Sequence, residues 1–128
     1  MSFSHTLTLG VTSASETLSE TVVNTTSAQV DWDESVADSS TDYQITAAID
    51  VSAVKSFYLV SDQAVTVETN SGSSPADTLT LVANVPYIWH VNSYDTFKFG
   101  TDITAFFITN ASGSAAVMKM RCVLDSTP

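Results

Sequence analysis

Short runs in which apolar and polar residues alternate, separated by turn-forming residues, recur along the whole chain. The clearest runs are 3–12, 43–49, 78–83 and 87–91, where apolar residues occupy nearly every second position. Alternation with a period of two predicts β-strands that bury one face, and no stretch has a convincing helical period. Roughly nine or ten such runs predict an all-β fold, namely a β-sandwich or jelly roll of about 8–10 short antiparallel strands.

The most apolar part of the chain lies near its C-terminus. Two apolar runs, 103–109 and 115–124, are joined by Asn-Ala-Ser-Gly-Ser, and this arrangement predicts a β-hairpin at the centre of a sheet. The runs 54–61 and 64–69, which are joined by a tight turn, predict a second hairpin.

The length and the charge of the chain limit its organisation and its partners. The 128 residues suffice for one β-sandwich domain, 1–128, in which residues 1–12 are expected to form an N-terminal strand or an arm. Fourteen acidic residues against four basic ones give a formal net charge of −10. This acidity argues against binding to nucleic acid, which needs Lys and Arg to neutralise phosphates, and against docking on anionic membranes.

The residues that carry most enzyme chemistry are scarce and scattered. The chain has one cysteine, Cys122, which we expect to be a buried thiol, and two histidines, His5 and His90. No nucleophile elbow, zinc-type ligand set or phosphate-binding glycine loop occurs. We therefore expect no catalytic residues, no cofactor and no metal, and predict that the protein is not an enzyme.

One stretch of the chain is rich in carboxylates. Between Asp31 and Asp42 it also holds Asp33, Glu34 and Asp38, and we predict a loop here. The ligand spacing, the turn glycine and the closing glutamate of a helix-loop-helix calcium site are missing. A solvated acidic loop is therefore expected, and a cation site is the alternative.

Two groups of apolar residues are candidates for contacts between subunits. The run that contains Phe106 and Ile108 carries large apolar side chains on both faces, so it is either buried on both sides or covered by a neighbouring subunit. The N-terminal strand places Phe3, His5 and Leu7 on one face, where we expect an edge or an interface.

Lys119 and Arg121 are the charged candidates for an interface. They lie two residues apart in a predicted strand, so their side chains point to the same side of the sheet. One interpretation is a solvated outer face, and the other is an electrostatic contact with an acidic partner surface.

Aromatic residues offer a separate possibility, which is binding to carbohydrate. Tyr43, Tyr87 and Trp89 occupy alternating strand positions and are expected in the core. Trp32, beside the acidic stretch, and Tyr94, in a predicted turn, are the candidates for stacking on sugars.

The order of motifs in the C-terminal part of the chain resembles a known class of virion protein. The motifs are VSAVKSFYLVSDQAVTVETN, a Ser/Pro loop, DTLTLVANVPYIWHV, DITAFFITN and a final VLD, within residues 50–125. This pattern is similar to small β-sandwich head decoration (cement) or auxiliary capsid proteins of tailed bacteriophages.

The resemblance implies a structural role without catalysis. Such a protein binds the major capsid protein on the capsid exterior, stabilises the shell, associates with itself, often as a homotrimer, and enters the virion during assembly in the host cytoplasm. A tail, fibre or other virion β-module and a carbohydrate-binding module are the alternatives.

Overall fold

The computed structural model describes residues 3–12 and 15–125. Within them the chain forms ten β-strands and one 3₁₀-helix, Val51–Ala53. No helix in this part of the chain is long and apolar enough to cross a membrane. The strands are β1 (Phe3–Thr12), β2 (Thr17–Thr26), β3 (Ala28–Val36), β4 (Ser40–Ile49), β5 (Val54–Ser61), β6 (Val65–Thr69), β7 (Thr78–Leu81), β8 (Tyr87–His90), β9 (Ile103–Asn110) and β10 (Ala116–Leu124).

Eight of these strands form two four-stranded antiparallel sheets. Sheet I has the order β3-β10-β5-β8, and sheet II has the order β4-β9-β6-β7. Consecutive strands cross from one sheet to the other, except at the β6–β7 pair, and this is the strand order of an eight-stranded jelly roll. The remaining strands, β1 and β2, form a two-stranded antiparallel hairpin. The predicted all-β sandwich or jelly roll is thus confirmed.

Both predicted hairpins are wrong, although their strands exist. β9 and β10 lie in opposite sheets, and so do β5 and β6. Turn-forming residues reverse the chain equally well within a sheet and in a crossing between two packed sheets, which lie about 10 Å apart. The expected central position is confirmed, because β9 and β10 are each paired on both sides.

The core lies between the two sheets, and it includes two residues that are candidates for an interface in the sequence analysis. Phe106 and Ile108 are fully buried there, so the prediction that they contact a neighbouring subunit is wrong. The facing sheet covers them, and Phe106 packs edge-to-face against Phe99. Cys122 is fully buried as predicted, and burial raises the pKa of its thiol to about 12.

The acidic stretch is mostly strand, and the prediction of a loop from Asp31 to Asp42 is wrong. β3 continues to Val36 and β4 begins at Ser40, so only residues 37–39 connect them. Strand pairing prevails because alternate residues of β3, including Trp32, pack against the core while the carboxylates between them point to solvent. Among the described residues, no three His, Cys, Asp or Glu side chains are placed to hold a metal ion.

Aromatic side chains close one side of the core. Phe97 and Phe99 reach it from the loop between β8 and β9, and the Phe97 ring centroid lies 4.7 Å from that of Trp89. Tyr87 and Trp89 are half-buried against the core, in line with the prediction. Tyr43 is exposed, so its predicted place in the core is wrong, because it lies near the start of the edge strand β4, where water reaches the ring.

Candidate interaction surfaces

The antiparallel pairing gathers four loops at one end of the sandwich. Strands alternate in direction along the chain, so the connections β3–β4, β5–β6, β7–β8 and β9–β10 all lie at the same end. We call the surface that these loops form, together with the first residues of β10, the apical surface. Its loops are residues 37–39, 62–64, 82–86 and 111–115.

Two carboxylates tie the apical loops to each other. Asp38 in the β3–β4 loop accepts a hydrogen bond from the backbone N–H of Gly113 at 2.9 Å. Asp62 in the β5–β6 loop accepts one from the N–H of Val117 at 2.8 Å, and its own N–H donates to the Val117 carbonyl. Gly113 has a φ of 96°, a conformation in which any residue with a Cβ is strained. These two acidic residues therefore hold the loops in place.

Asn110 is the buried anchor of the apical surface. Its side chain is fully buried, and its amide donates to the carbonyls of Val36 at 3.0 Å and Ser114 at 2.8 Å. Its Oδ1 accepts the N–H of Ser112 at 3.1 Å and the Ser112 hydroxyl at 2.7 Å. One side chain thus joins the end of β3 to the loop that leads into β10, so these connections have a defined geometry.

The apical surface exposes aliphatic side chains. Val82 is 62% exposed, Val85 is 53% exposed and Val117 is 49% exposed. The N–H of Asn84, between the first two valines, donates to the carbonyl of Ser61 at 2.8 Å, which places their loop beside the one that bonds Val117. Four exposed alanines add to this surface: Ala37, Ala64, Ala111 and Ala115. Sequence reasoning missed this surface, although valines inside the turn-rich segment Val82–Pro86 were a visible signal.

A second surface is the outer face of sheet I, which the β1–β2 hairpin partly covers. Val123 and Ser56 are register partners on this face, yet they are 0% and 2% exposed. Val123 does not belong to the core between the sheets, and both β1 and β2 lie against β10, the strand that carries it. The base of the hairpin therefore packs against the sandwich.

A cavity of about 270 Å³ separates β1 from sheet I. Apolar surface makes up the larger part of its lining, and hydroxyl groups, one imidazole and one guanidinium group supply the rest. The lining residues are Ser4, His5, Thr6 and Leu7 from β1, Ser56 and Tyr58 from β5, and Arg121 from β10.

Arg121 is neutralised by carboxylates of its own chain. Its Nη1 donates to Asp33 Oδ1 at 2.7 Å and to the Met120 carbonyl at 2.8 Å, and its Nε lies 3.9 Å from Asp31 Oδ2. The hydrogen bond from this guanidinium group lowers the pKa of Asp33. Lys119 is exposed and is the register partner of Asp33. An acidic partner would therefore have to displace these carboxylates to pair with Arg121.

Of the three predicted interface residues of β1, the structure describes the side chains of two, His5 and Leu7. His5 and Leu7 are half-buried and face the outer side of sheet I within the same chain. The pKa of His5 is lowered, mainly because the imidazole is partly buried and further because of the nearby charge of Arg121. A hydrogen bond with Gln29 raises this pKa in part. The side chain of Phe3 lies outside the described residues.

The two candidate sugar-stacking residues do not form one platform. Trp32 is half-buried, and its ring centroid lies 5.6 Å from that of Phe106 in an edge-to-face contact. Its indole N–H is buried without a hydrogen-bond partner among the described residues. Tyr94 is fully exposed in the β8–β9 loop. β3 and β8 are the opposite edges of sheet I, so the two rings lie apart.

Comparisons with protein-family models, with curated proteins and with solved structures found no match for this chain.

Proposed function

We propose that this chain is a non-enzymatic structural protein of a bacteriophage virion. In this proposal it is a decoration protein that binds the outer surface of the capsid, stabilises the shell and associates with itself. The observation that carries the proposal is the apical surface, where aliphatic side chains stand on loops already held by hydrogen bonds. A preordered surface loses little conformational entropy on binding, and exposed apolar groups gain free energy when a partner buries them.

The proposed partner is the major capsid protein, in a region of its outer surface that lacks strong charge. Within the apical loops the only charged residues are Asp38 and Asp62, and both accept backbone hydrogen bonds of their own chain. The rest of the molecule carries most of the net charge of −10. Displayed on the outside of a virion, that charge would keep particles apart through mutual repulsion.

The test is co-sedimentation with empty heads assembled from the major capsid protein encoded in the same genome. The variant V82D/V85D places two carboxylates in the apical loops, and V91D/Y94D is the matched control at the opposite end of the sandwich. All four side chains are exposed, so both variants are expected to fold. We expect V82D/V85D to weaken binding at least about tenfold, because burying an unpaired carboxylate is costly, and the control to bind like the wild type.

Wild-type protein that does not sediment with heads would refute capsid decoration. Binding to purified tails or fibres instead would support the alternative of a tail or fibre module.

A carbohydrate-binding module is the second candidate function. The fully exposed ring of Tyr94 favours it, since aromatic rings at binding surfaces stack on the apolar faces of ligands. A glycan array tests it: binding that Tyr94→Ala abolishes would support the module, and an array without binding would remove it.

A further inference from the structure

The sheets formed by residues 3–12 and 15–125 have six edge strands, and most of these strands carry features that prevent pairing with another chain. Natural edge strands are protected when they are short, when they carry charged residues, or when bulges interrupt their ladder. β7 and β8 have four residues each. β3 carries three carboxylates, β2 carries Glu20, and the ladder of β4 with β9 shifts register twice.

β1 has none of these features. It runs for ten residues, Phe3–Thr12, without a charged residue or a proline. Its ladder with β2 continues from Phe3 to Thr12 without a shift of register. Among residues 3–12 and 15–125, β2 is the only strand that pairs with it. The other edge of β1 therefore presents the unpaired N–H and C=O groups of a long, regular strand.

The hairpin also lacks the support that such an element needs. A two-stranded sheet is marginally stable in water, and a third strand or a packed face is required. The base of the hairpin has such a packed face on sheet I, but towards its tip the side chains of residues 15–21 are all exposed, with Leu18 at 60%. The hairpin is thus incomplete along its length unless another strand joins it.

We propose that β1 pairs along its free edge with β1 of a second copy of this chain, in antiparallel orientation. The product is a continuous four-stranded sheet of the order β2-β1-β1-β2, related by a two-fold axis. The proposal rests on the self-association that is part of the proposed function, and it names β1 as the strand through which two copies associate. Its symmetry makes the assembly a dimer, whereas the resemblance to decoration proteins implies a trimer.

Charge favours this edge as the place where a second copy binds, because repulsion between two acidic chains is weakest where the paired strands carry no carboxylate. Each chain carries a net charge of −10, and like charges directly opposite each other destabilise strand pairs. β1 is the one long edge strand of the described structure that brings no carboxylate to the ladder. Ten residues paired with ten form about ten backbone hydrogen bonds.

Two charge variants of the full chain test the pairing. T6K/T8K adds two lysines to exposed positions of β1, and T21K/V23K adds them to the register partners in β2. Light scattering distinguishes the monomer of 13.6 kDa from a dimer of twice that mass. Sedimentation equilibrium then gives the dissociation constant of each protein. We expect a wild-type dimer that T6K/T8K weakens at least about tenfold, with T21K/V23K within about threefold of the wild type.

Hydrogen exchange is the second measurement, and it needs no variant to fold. The amides of residues 3–12 are expected to gain protection as the wild-type concentration rises. A wild-type monomer at about 1 mM, a dimer insensitive to T6K/T8K, equal weakening by both variants, or protection that does not change with concentration would each overturn the proposal. Co-sedimentation of monomeric T6K/T8K with empty heads separates the two ideas, since capsid binding without dimers leaves the decoration role intact.

Discussion

Asn110 should be the polar side chain whose loss costs the fold most. Replacing it with alanine removes four hydrogen bonds of 3.1 Å or less, two donated by the amide and two accepted by Oδ1. Each such bond contributes about 1 kcal/mol net, and a buried carbonyl left unpaired costs about 1–3 kcal/mol. The Ser112 and Ser114 groups regain water because these residues are exposed, whereas the carbonyl of the fully buried Val36 does not.

Asn110→Ala is therefore expected to lower the free energy of unfolding by about 3 kcal/mol. For a chain of this length that corresponds to a fall in Tm of roughly 10 °C. Urea denaturation followed by tryptophan fluorescence measures the free energy, and calorimetry measures the Tm. Ser112→Ala is the control, because it removes one hydroxyl of an exposed residue, and it should cost about 1 kcal/mol or less.

Asn110→Asp separates the loss of the donor from the loss of the acceptor. The aspartate keeps an oxygen for the Ser112 groups but faces the carbonyls of Val36 and Ser114 with a carboxylate. At neutral pH it should cost at least as much as the alanine. A loss below about 1 kcal/mol for Asn110→Ala would refute the view that this amide anchors the apical loops.

Three further predictions concern other parts of the molecule. Gly72→Ala should lower the Tm, because its Cβ would overlap the Asp42 carboxyl group and push it away from the Thr109 hydroxyl that donates to it. Gly100→Ala, with open space around the added Cβ, should leave the Tm within experimental error. The pKa of Asp33 is lowered in the folded state, so its contribution to stability is present above the unfolded pKa near 3.8 and is lost as the pH falls through the folded pKa. As the pH is lowered, the free energy of unfolding should therefore fall less steeply for Asp33→Asn than for the wild type. Equal slopes of this free energy against pH would contradict the ion pair between Asp33 and Arg121. Burial raises the pKa of Cys122 to about 12, so a thiol reagent at pH 8 should label it in urea but not in the native state.

The sequence predicted most strands but not how they pair. Alternation marks which residues of a strand face the core, and for this reason it predicts β1, β4, β7 and β8. Alternation does not say which strand lies alongside, so the sequence predicts a hairpin of β9 and β10, whereas the two strands lie in opposite sheets. Only the three-dimensional closure of both sheets decides between these arrangements.

The surfaces were harder to predict than the strands. The carboxylates of β3 suggested a loop because charge density outweighed the weaker apolar alternation that includes Trp32. For Phe106 and Ile108 the sequence leaves two alternatives, because a strand with large residues on both faces can be buried either by its own chain or by another, and the structure buries both residues within the chain. The apical surface depends on four loops that meet only after folding, so no local pattern describes it.

The measurement that bears most directly on the central claim is a cryo-electron microscopy reconstruction of empty heads incubated with the wild-type protein. The account predicts added density on the outer surface of the heads, with the loops 37–39, 62–64, 82–86 and 111–115 in contact with the major capsid protein. Heads without added density, or density that contacts the shell through a different face of the jelly roll, would contradict it.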